Sequence, residues 1–418
     1  MKSTPRVLIL ASPFIGYLRG LMRGIARYGR AHGPWEFFVS GLTPGVPLPA
    51  LQTFGGRLLV SSPSASRPDW LADDIRRWGI TGVIGRMSAP EVAKAVLASG
   101  LPTVALDLTD KHLAAGNPLS QLPDATTDCR AAGRLAAEHL LGLGLRRFAF
   151  VGQDEQAWSY RREAGFRERL AEAGHEYAAF NQANVHGRNA AARTRARVAE
   201  WLGGLGYPAG VFAGNDYVGR EVLDASLEVG IEVPDQLAVV GADDDDLSNE
   251  LANPPLSSVA FNVDDGGYRI AELLNRLMSE GNGWQRRDPA RLVIEAVRVV
   301  SRPSSAAMAV EDPLVATALR FIRTHAKEAI DVADVVRHCA VSQRSLGLHF
   351  QAVLGSSVKA ELQRVRIDWA KRLLAETGLS IEKVADNAGF GSLSYFCHAF
   401  RRATGTTPAE YRHRYRVC

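Results

Sequence analysis

The first 300 residues alternate short apolar runs with helix-patterned stretches, and this alternation constrains the fold most. The runs are Val7–Ala11, Leu58–Val60, Gly82–Ile84, Thr103–Leu106, Phe148–Val151, Gly210–Ala213, Leu237–Val240 and Ser258–Phe261, each bounded by Gly, Pro, Ser or Asp. Between them, Leu18, Leu21, Met22, Ile25 and Ala26 recur at helical spacing, and so do Ala132, Leu135, Ala136, His139 and Leu140. Strand–helix alternation of this kind predicts parallel sheets covered by helices. The length of the region fits two sheets better than one. In such sheets ligands bind beyond the carboxyl ends of the strands. Polar residues stand there: Ser12, Arg86, Asp107, Asn215, Asp216 and Asp243. They predict a cleft of charged and amide groups, although helix capping is the competing role for each of them.

Residues 301–312 lose periodicity and are rich in Ser, Ala and Pro, which reads as a linker. Beyond it the pattern is helical and contains an internal repeat. Val332-x-x-Val335-Val336-x-x-Cys339-Ala340-Val341-Ser342 is followed by Leu346 and Phe350. Ile381-x-x-Val384-Ala385-x-x-Ala388-Gly389-Phe390-Gly391-Ser392 is followed by Phe396 and Phe400. Each unit predicts a short helix ending at a small residue, a serine cap, and a second helix with two buried positions. This is a helix-turn-helix pattern, and its second helix suits the DNA major groove. Residues 360–375 supply a connecting helix.

Charge supports the division. The chain carries +4 in total, but residues 312–418 hold sixteen Lys/Arg and ten Asp/Glu, so the remainder is slightly acidic. Four dispersed cysteines with no C-x-x-C pair argue against a disulfide scaffold or a paired-cysteine zinc site. The N-terminal apolar run is broken at Ser12-Pro13, so a buried strand is expected there rather than a signal peptide, and the location expected is the cytoplasm. No membrane span is expected. Gly142-Leu-Gly144 follows a helix and precedes a strand, the reverse of a dinucleotide loop, and no P-loop, G-x-S-x-G or H-E-x-x-H occurs. The run Asp243–Asp246 lacks the alternating spacing of a calcium loop. No catalytic residue, metal or cofactor is therefore expected. A sugar-binding protein or α/β enzyme with a C-terminal interaction domain is the rival reading.

The tail resembles the DNA-binding domain of AraC/XylS-type transcription regulators. The resemblance rests on Arg366-Ile367-x-x-Ala370-x-x-Leu373-Leu374, Ile381-x-x-Val384-Ala385-x-x-x-Gly389-Phe390, Ser394-Tyr395-Phe396 with Phe400-Arg401-Arg402, and Gly405-x-Thr407-Pro408-x-Glu410-Tyr411-Arg412. The first unit departs from the family at Gly347 and Leu348, where longer polar side chains are usual. DNA contacts implied are Ser342, Gln343, Arg344, Ser345 and His349 in the first unit, and Ser392, Leu393, Ser394, Tyr395, Cys397, His398 and Arg401 in the second. The body resembles LacI-type regulators and periplasmic sugar-binding proteins. The matching stretches are Ala136-Ala137-x-His139-Leu140, Arg147-Phe148-Ala149-Phe150-x-Gly152, Arg162-x-x-Gly165-Phe166, Val211-Phe212-Ala213-x-Asn215-Asp216 and Leu237-Ala238-Val239-Val240-Gly241-x-Asp243. Sugar contacts implied are Asp243, Arg162 and Asn215, then Asp128, with Arg19 and Arg86 as wall residues and Phe14, Tyr17 or Trp158 as an aromatic face.

The combination is similar to the xylose operon regulator type of AraC-family protein. It implies a two-lobed, type I periplasmic-binding-protein-like α/β sensor domain at 6–302 and an all-α domain with two helix-turn-helix motifs at 313–416. The lobes expected are 6–145 with 262–290, and 146–261 with 291–302. The linker is expected at 303–312 and the motifs at 332–351 and 381–402. The resemblance also implies a homodimer that binds operator DNA and a monosaccharide, xylose or a related sugar, and that recruits RNA polymerase as an activator.

Overall fold

A computed structural model of the chain describes residues 4–13, 15–40, 70–87, 89–182, 190–280, 289–306 and 312–415. The expected strand Leu58–Val60 and the candidate Phe14 lie outside them.

Twelve strands are seen among the described residues: β1 Arg6–Leu10, β2 Glu36–Ser40, β3 Gly82–Arg86, β4 Thr103–Leu106, β5 Asp124–Thr127, β6 Phe148–Gln153, β7 Ala178–Gln182, β8 Ala209–Ala213, β9 Leu237–Ala242, β10 Ser257–Phe261, β11 Arg291–Ile294 and β12 Ala296–Val300. They form two six-stranded sheets, β11-β5-β4-β3-β1-β2 and β12-β10-β9-β8-β6-β7. All pairings are parallel except β10 with β12. In each sheet the strand order reverses beside the first strand, and a crevice opens at the carboxyl ends there.

The lobe boundaries differ from those expected. Helix Cys129–Leu141 packs on helix Ala157–Glu172 and on β8, β9 and β12, so the second lobe begins near residue 128 rather than 146. Strand β11 pairs with β5 and belongs to the first lobe, not the second. The chain thus passes between lobes at Asp128, Asn262 and Glu295, and these crossovers are tied together: Asp128 N–H donates to Ile294 O (2.8 Å) and Asn262 N–H to Glu295 O (2.9 Å).

Close helix packing sets the position of Arg162. A Cβ on Gly133 would lie 2.0 Å from Arg162 O, and one on Gly165 2.0 Å from Arg130 O. Only glycine lets these two helix backbones approach so closely.

Residues 303–306 are not linker. Pro303–Ser305 forms a 3-10 turn with Ser304 and Ser305 fully buried. Ser304 Oγ donates to Val239 O (2.7 Å) and accepts from Ser257 N–H (2.8 Å), so it satisfies strand backbone, while Ser305 Oγ donates to Ser257 Oγ (2.7 Å). Residues 307–311 lie outside the described set.

Asp124 begins β5 almost fully buried, and its carboxylate accepts from Leu108 N–H (3.1 Å). Burial pushes its carboxyl up to about 6. The folded chain therefore holds a proton that the unfolded chain has released between about pH 4 and 6, and stability falls as pH rises through that window. Asp124→Asn keeps the acceptor and removes the charge. It is expected to stabilise the fold by about 2–3 kcal/mol above pH 6 and to add little below pH 4. Urea midpoints of both chains at pH 4 and pH 7.5 check this, and equal differences at the two values would refute it.

The tail has seven helices among the described residues: Pro313–His325, Val332–His338, Gln343–Leu354, Val358–Glu376, Ile381–Asn387, Leu393–Thr404 and Pro408–Tyr415. They enclose two cores. Val315, Leu319, Ile322, Val335, Leu346, Phe350 and Leu362 form one, and Ile367, Leu374, Val384, Phe390, Phe396, Phe400 and Tyr411 form the other. The helix Val358–Glu376 contributes to both. Both turns are left-handed, at Ala340 (φ 54°) and Gly389 (φ 77°). At Gly389 a Cβ would also lie 2.2 Å from Ala326 O, so the position requires glycine. Arg366 satisfies the loop above it, donating to the carbonyls of Ala326 (3.0 Å), Glu328 (3.0 Å) and Ile330 (2.7 Å).

Candidate ligand cleft and nucleic-acid interface

The first lobe contributes Tyr17, Arg86 and Asp107 to the crevice. Arg86 stands at the end of β3, and Asp107 just past β4 holds it by two bonds, 2.8 Å and 3.2 Å. Tyr17 Oη donates to the same carboxylate at 3.2 Å. Burial first, and then Asp107, push the Tyr17 phenol well above its usual range, so it remains a neutral donor. For Arg86, burial is outweighed by Asp107 and the guanidinium stays charged.

The second lobe contributes Arg162 and Asp243. Arg162, on helix Ala157–Glu172, is only 3% exposed. It donates to Asp243 at 2.6 Å and to Gly214 O at 2.7 Å. Its guanidinium carbon lies 5.5 Å from the Trp158 ring centre and 5.2 Å from that of Phe261. Trp158 therefore holds the arginine rather than forming a free aromatic face. Burial raises the Asp243 carboxyl, while Arg162 and, from the other lobe, Arg86 oppose the shift.

Two arginine–carboxylate pairs, one from each lobe, thus face each other. Both carboxylates occupy backbone that side chains rarely adopt, Asp107 at φ 55° and Asp243 at φ 109°. Such strain is concentrated where the surrounding structure must aim a group. Asp216 sets the loop that aims Asp243. Fully enclosed, it accepts from Asp245 N–H (2.8 Å), Asn249 Nδ2 (2.9 Å) and Ser258 Oγ (2.5 Å).

The other sequence candidates also have partners within the fold. Asn215 Oδ1 caps helix Asp216–Glu228 through Val218 N–H (2.8 Å). Asp128 caps helix Cys129–Leu141 through Ala131 N–H (2.9 Å), at a crossover. Arg19 forms part of a strap between the lobes. It meets Asp245 at 2.8 Å, and Asp245 also accepts from Gly16 N–H at 3.0 Å. Opposite it, Tyr160 and Arg161 reach Asp110. These bonds join the two lobes. In the acidic run, Asp243 takes Arg162, Asp244 takes Arg302 (2.9 Å) and Asp245 takes Arg19. No cluster of three or more metal-ligating side chains occurs among the described residues.

In the tail, Ser342 caps the first recognition helix through Ser345 N–H (3.1 Å), and Ser392 caps the second through Tyr395 N–H (3.2 Å). Both helix starts are open to solvent, with Gln343, Arg344, Leu393, Ser394, Tyr395, His398 and Arg401 exposed. Ser345 and Cys397 are half-buried, and Cys397 packs against the second core. His349 is committed elsewhere: its Nδ1 meets Asp312 at 2.5 Å. Asp312 in turn caps helix Pro313–His325, so His349 fastens the domain's entry. Leu348, 64% exposed, presents an apolar side chain to solvent on the first recognition helix. Tyr395, His398 and Arg402 line a cavity shared with Arg298, Val299 and Ser301 of the sensor. Part of the second recognition helix therefore faces the sensor.

A profile described as "Periplasmic binding protein-like domain" matches residues 137–305, and one described as "Helix-turn-helix domain" matches residues 335–414. The xylose operon regulatory protein of Escherichia coli (strain K12) is 29% identical over 414 residues, 97% of this chain and 96% of that protein. Its namesake in Haemophilus influenzae is 29% identical over 343 residues, 81% of this chain and 87% of that one. The solved structure of the xylose-binding transcription activator xylR superposes over the whole of both chains with a TM-score of 0.57 at 27% identity. This chain is a DNA-binding transcription regulator with a periplasmic-binding-protein-like sensor domain and a helix-turn-helix domain. The regulator is not an enzyme, as its relatives are transcription regulators. Its sensor fold is also that of the regulator CelR in complex with cellobiose, with a TM-score of 0.55. No helix among the described residues of the regulator is long and apolar enough to cross a membrane.

Proposed function

We propose that the regulator controls carbohydrate-utilisation genes by binding a neutral monosaccharide, xylose or a related sugar, between its two lobes. The opposed pairs Arg86–Asp107 and Arg162–Asp243 carry this reading. Each carboxylate is already neutralised by its arginine, so the cleft offers no net charge to an acidic ligand. It does offer forked donors, carboxylate acceptors and the Tyr17 hydroxyl, which match vicinal hydroxyls. Xylose is favoured by the relatives named for the xylose operon.

Sugar binding favours the closed form only as far as it binds that form better. Closure then reorients the tail, freeing the second recognition helix from the sensor. The regulator acts as a cytoplasmic homodimer that places its tails on paired operator half-sites and recruits RNA polymerase. Asp243, Arg162, Arg86 and Tyr17 contact the sugar. Ser342, Gln343, Arg344, Leu393, Ser394, Tyr395, His398 and Arg401 face DNA.

A thermal-shift screen of the full chain against a monosaccharide panel tests the ligand class. A sugar at about 100 times its dissociation constant is expected to stabilise the chain by about 2.7 kcal/mol. D-xylose is expected to give the largest shift, and a chain whose melting no monosaccharide moves would refute the reading.

A further inference from the structure

Two of the three lobe crossovers hold the end of the DNA-binding domain. Asn262 Nδ2 donates to Arg414 O at 2.8 Å. Glu295 pairs with the Arg414 guanidinium and accepts from Tyr415 Oη at 3.2 Å. Both partners lie in the last turn of the helix Pro408–Tyr415. The next residues reinforce the junction, since Val297 packs against the second tail core and Arg298 pairs with Glu376.

From that turn an aromatic series runs inward. Tyr415 lies 4.5 Å from Tyr411, ring centre to ring centre, and Tyr411 lies 5.3 Å from Phe400. Phe400 is fully buried on the second recognition helix, Leu393–Thr404.

Lobe closure concentrates its backbone rotation in the few crossover residues. Side chains borne by those residues must then turn with them. We propose that Asn262 and Glu295, gripping Arg414 and Tyr415, are positioning residues that transmit lobe closure to the second recognition helix. The inference rests on the sugar response proposed above. Because the grip is on the second half of the tail, that unit moves directly with the hinge. The first unit follows through the helix Val358–Glu376, which joins the two cores.

The grip is weak as a fastening. Arg414 is exposed, and a solvent-accessible ion pair contributes little to stability. Its removal therefore leaves the folded chain intact, and coupling is what should change.

The test uses the full chain, D-xylose, and a duplex that the wild-type chain enriches from a random library. The DNA dissociation constant is measured with and without saturating xylose, and their ratio is the coupling factor. Allosteric couplings typically span about 5–150-fold. Glu295→Gln and Arg414→Ala are each expected to reduce the factor below about 2-fold. DNA affinity without sugar, and xylose affinity without DNA, should stay within about 3-fold of wild type. The exchange of charges, Glu295→Arg with Arg414→Glu, should restore a substantial part of the factor. Single variants that keep the wild-type factor would overturn the inference. So would variants that lose DNA affinity equally with and without sugar, since that pattern marks a purely structural contact. A wild-type chain whose DNA affinity responds to no monosaccharide would instead refute the sugar response itself.

Discussion

Asp243→Asn is expected to weaken monosaccharide binding by roughly 10–150-fold, the equivalent of one charge-assisted hydrogen bond. DNA affinity in the absence of sugar should be unchanged. Asp243 sits at φ 109°, aimed by a loop that Asp216 organises, and it faces the first lobe's Arg86. Its carboxylate is divided between Arg162 and the cleft. Asparagine keeps one acceptor oxygen and the side-chain shape, but gives up the charge that polarises a sugar hydroxyl.

Alanine is the poorer test. It would leave the nearly fully buried Arg162 with neither a counter-ion nor an acceptor, whereas asparagine keeps the acceptor, and breaking a buried pair outright from one side costs about 3–5 kcal/mol. A lost response in Asp243→Ala would then confuse binding with folding. Titration calorimetry of the asparagine variant with D-xylose, alongside its melting curve, separates the two. Wild-type affinity in that variant would place the sugar elsewhere.

The second large effect concerns DNA. Arg344 and Arg401 are exposed on the two recognition helices and take part in no ion pair among the described residues. Each is expected to lower DNA affinity by about 1–3 kcal/mol when replaced by alanine if it reads a base edge. An arginine that instead meets a phosphate should reduce the salt slope by about 0.9. His349→Ala is the contrast. Its imidazole is held by Asp312 at 2.5 Å, so its replacement should lower the melting temperature and leave DNA affinity nearly intact. Fluorescence anisotropy between 50 and 200 mM salt measures all three. A His349→Ala variant that loses more affinity than Arg344→Ala and Arg401→Ala would reverse the assignment of the DNA-facing surface.

Most of the α/β body was legible because its central strands are buried on both faces. Val7–Leu10, Val83–Ile84 and Val104–Leu106 are continuous apolar runs, and such runs mark interior parallel strands. The strands that escaped notice are β2, β7, β11 and β12, all at sheet edges, and β5, whose sequence Asp-Ala-Thr-Thr is polar. Strand β7, Ala-Ala-Phe-Asn-Gln, is largely exposed, so its apolar pattern is diluted. The Ser-rich stretch at 303–306 misled for the opposite reason: its serines are buried because Ser304 bonds to strand backbone and Ser305 to the Ser257 and His139 side chains.

The site shows the same division. Asp243 and Arg162 were recognised by motif, but their direct pairing was not visible along a chain in which 81 residues separate them. Asp107 carried a signal, a polar residue just past a strand end. Only its contacts with Arg86 and Tyr17 distinguish it from an ordinary turn residue. Asn215 and Asp128 carried the same signal, and each caps a helix.

The amino-acid sequence by itself determined the two domain types, the paired helix-turn-helix units and the segregation of charge between body and tail. These follow from local periodicity and composition, which act over a few residues. Only the tertiary structure decided which polar groups face the cleft, which strap the lobes together and which fasten the tail to the hinge. Those roles depend on partners far away in the chain, such as Arg19 with Asp245 or Glu295 with Arg414. A carboxylate has the same chemistry in each role, and its function is set by which arginine the fold brings within reach.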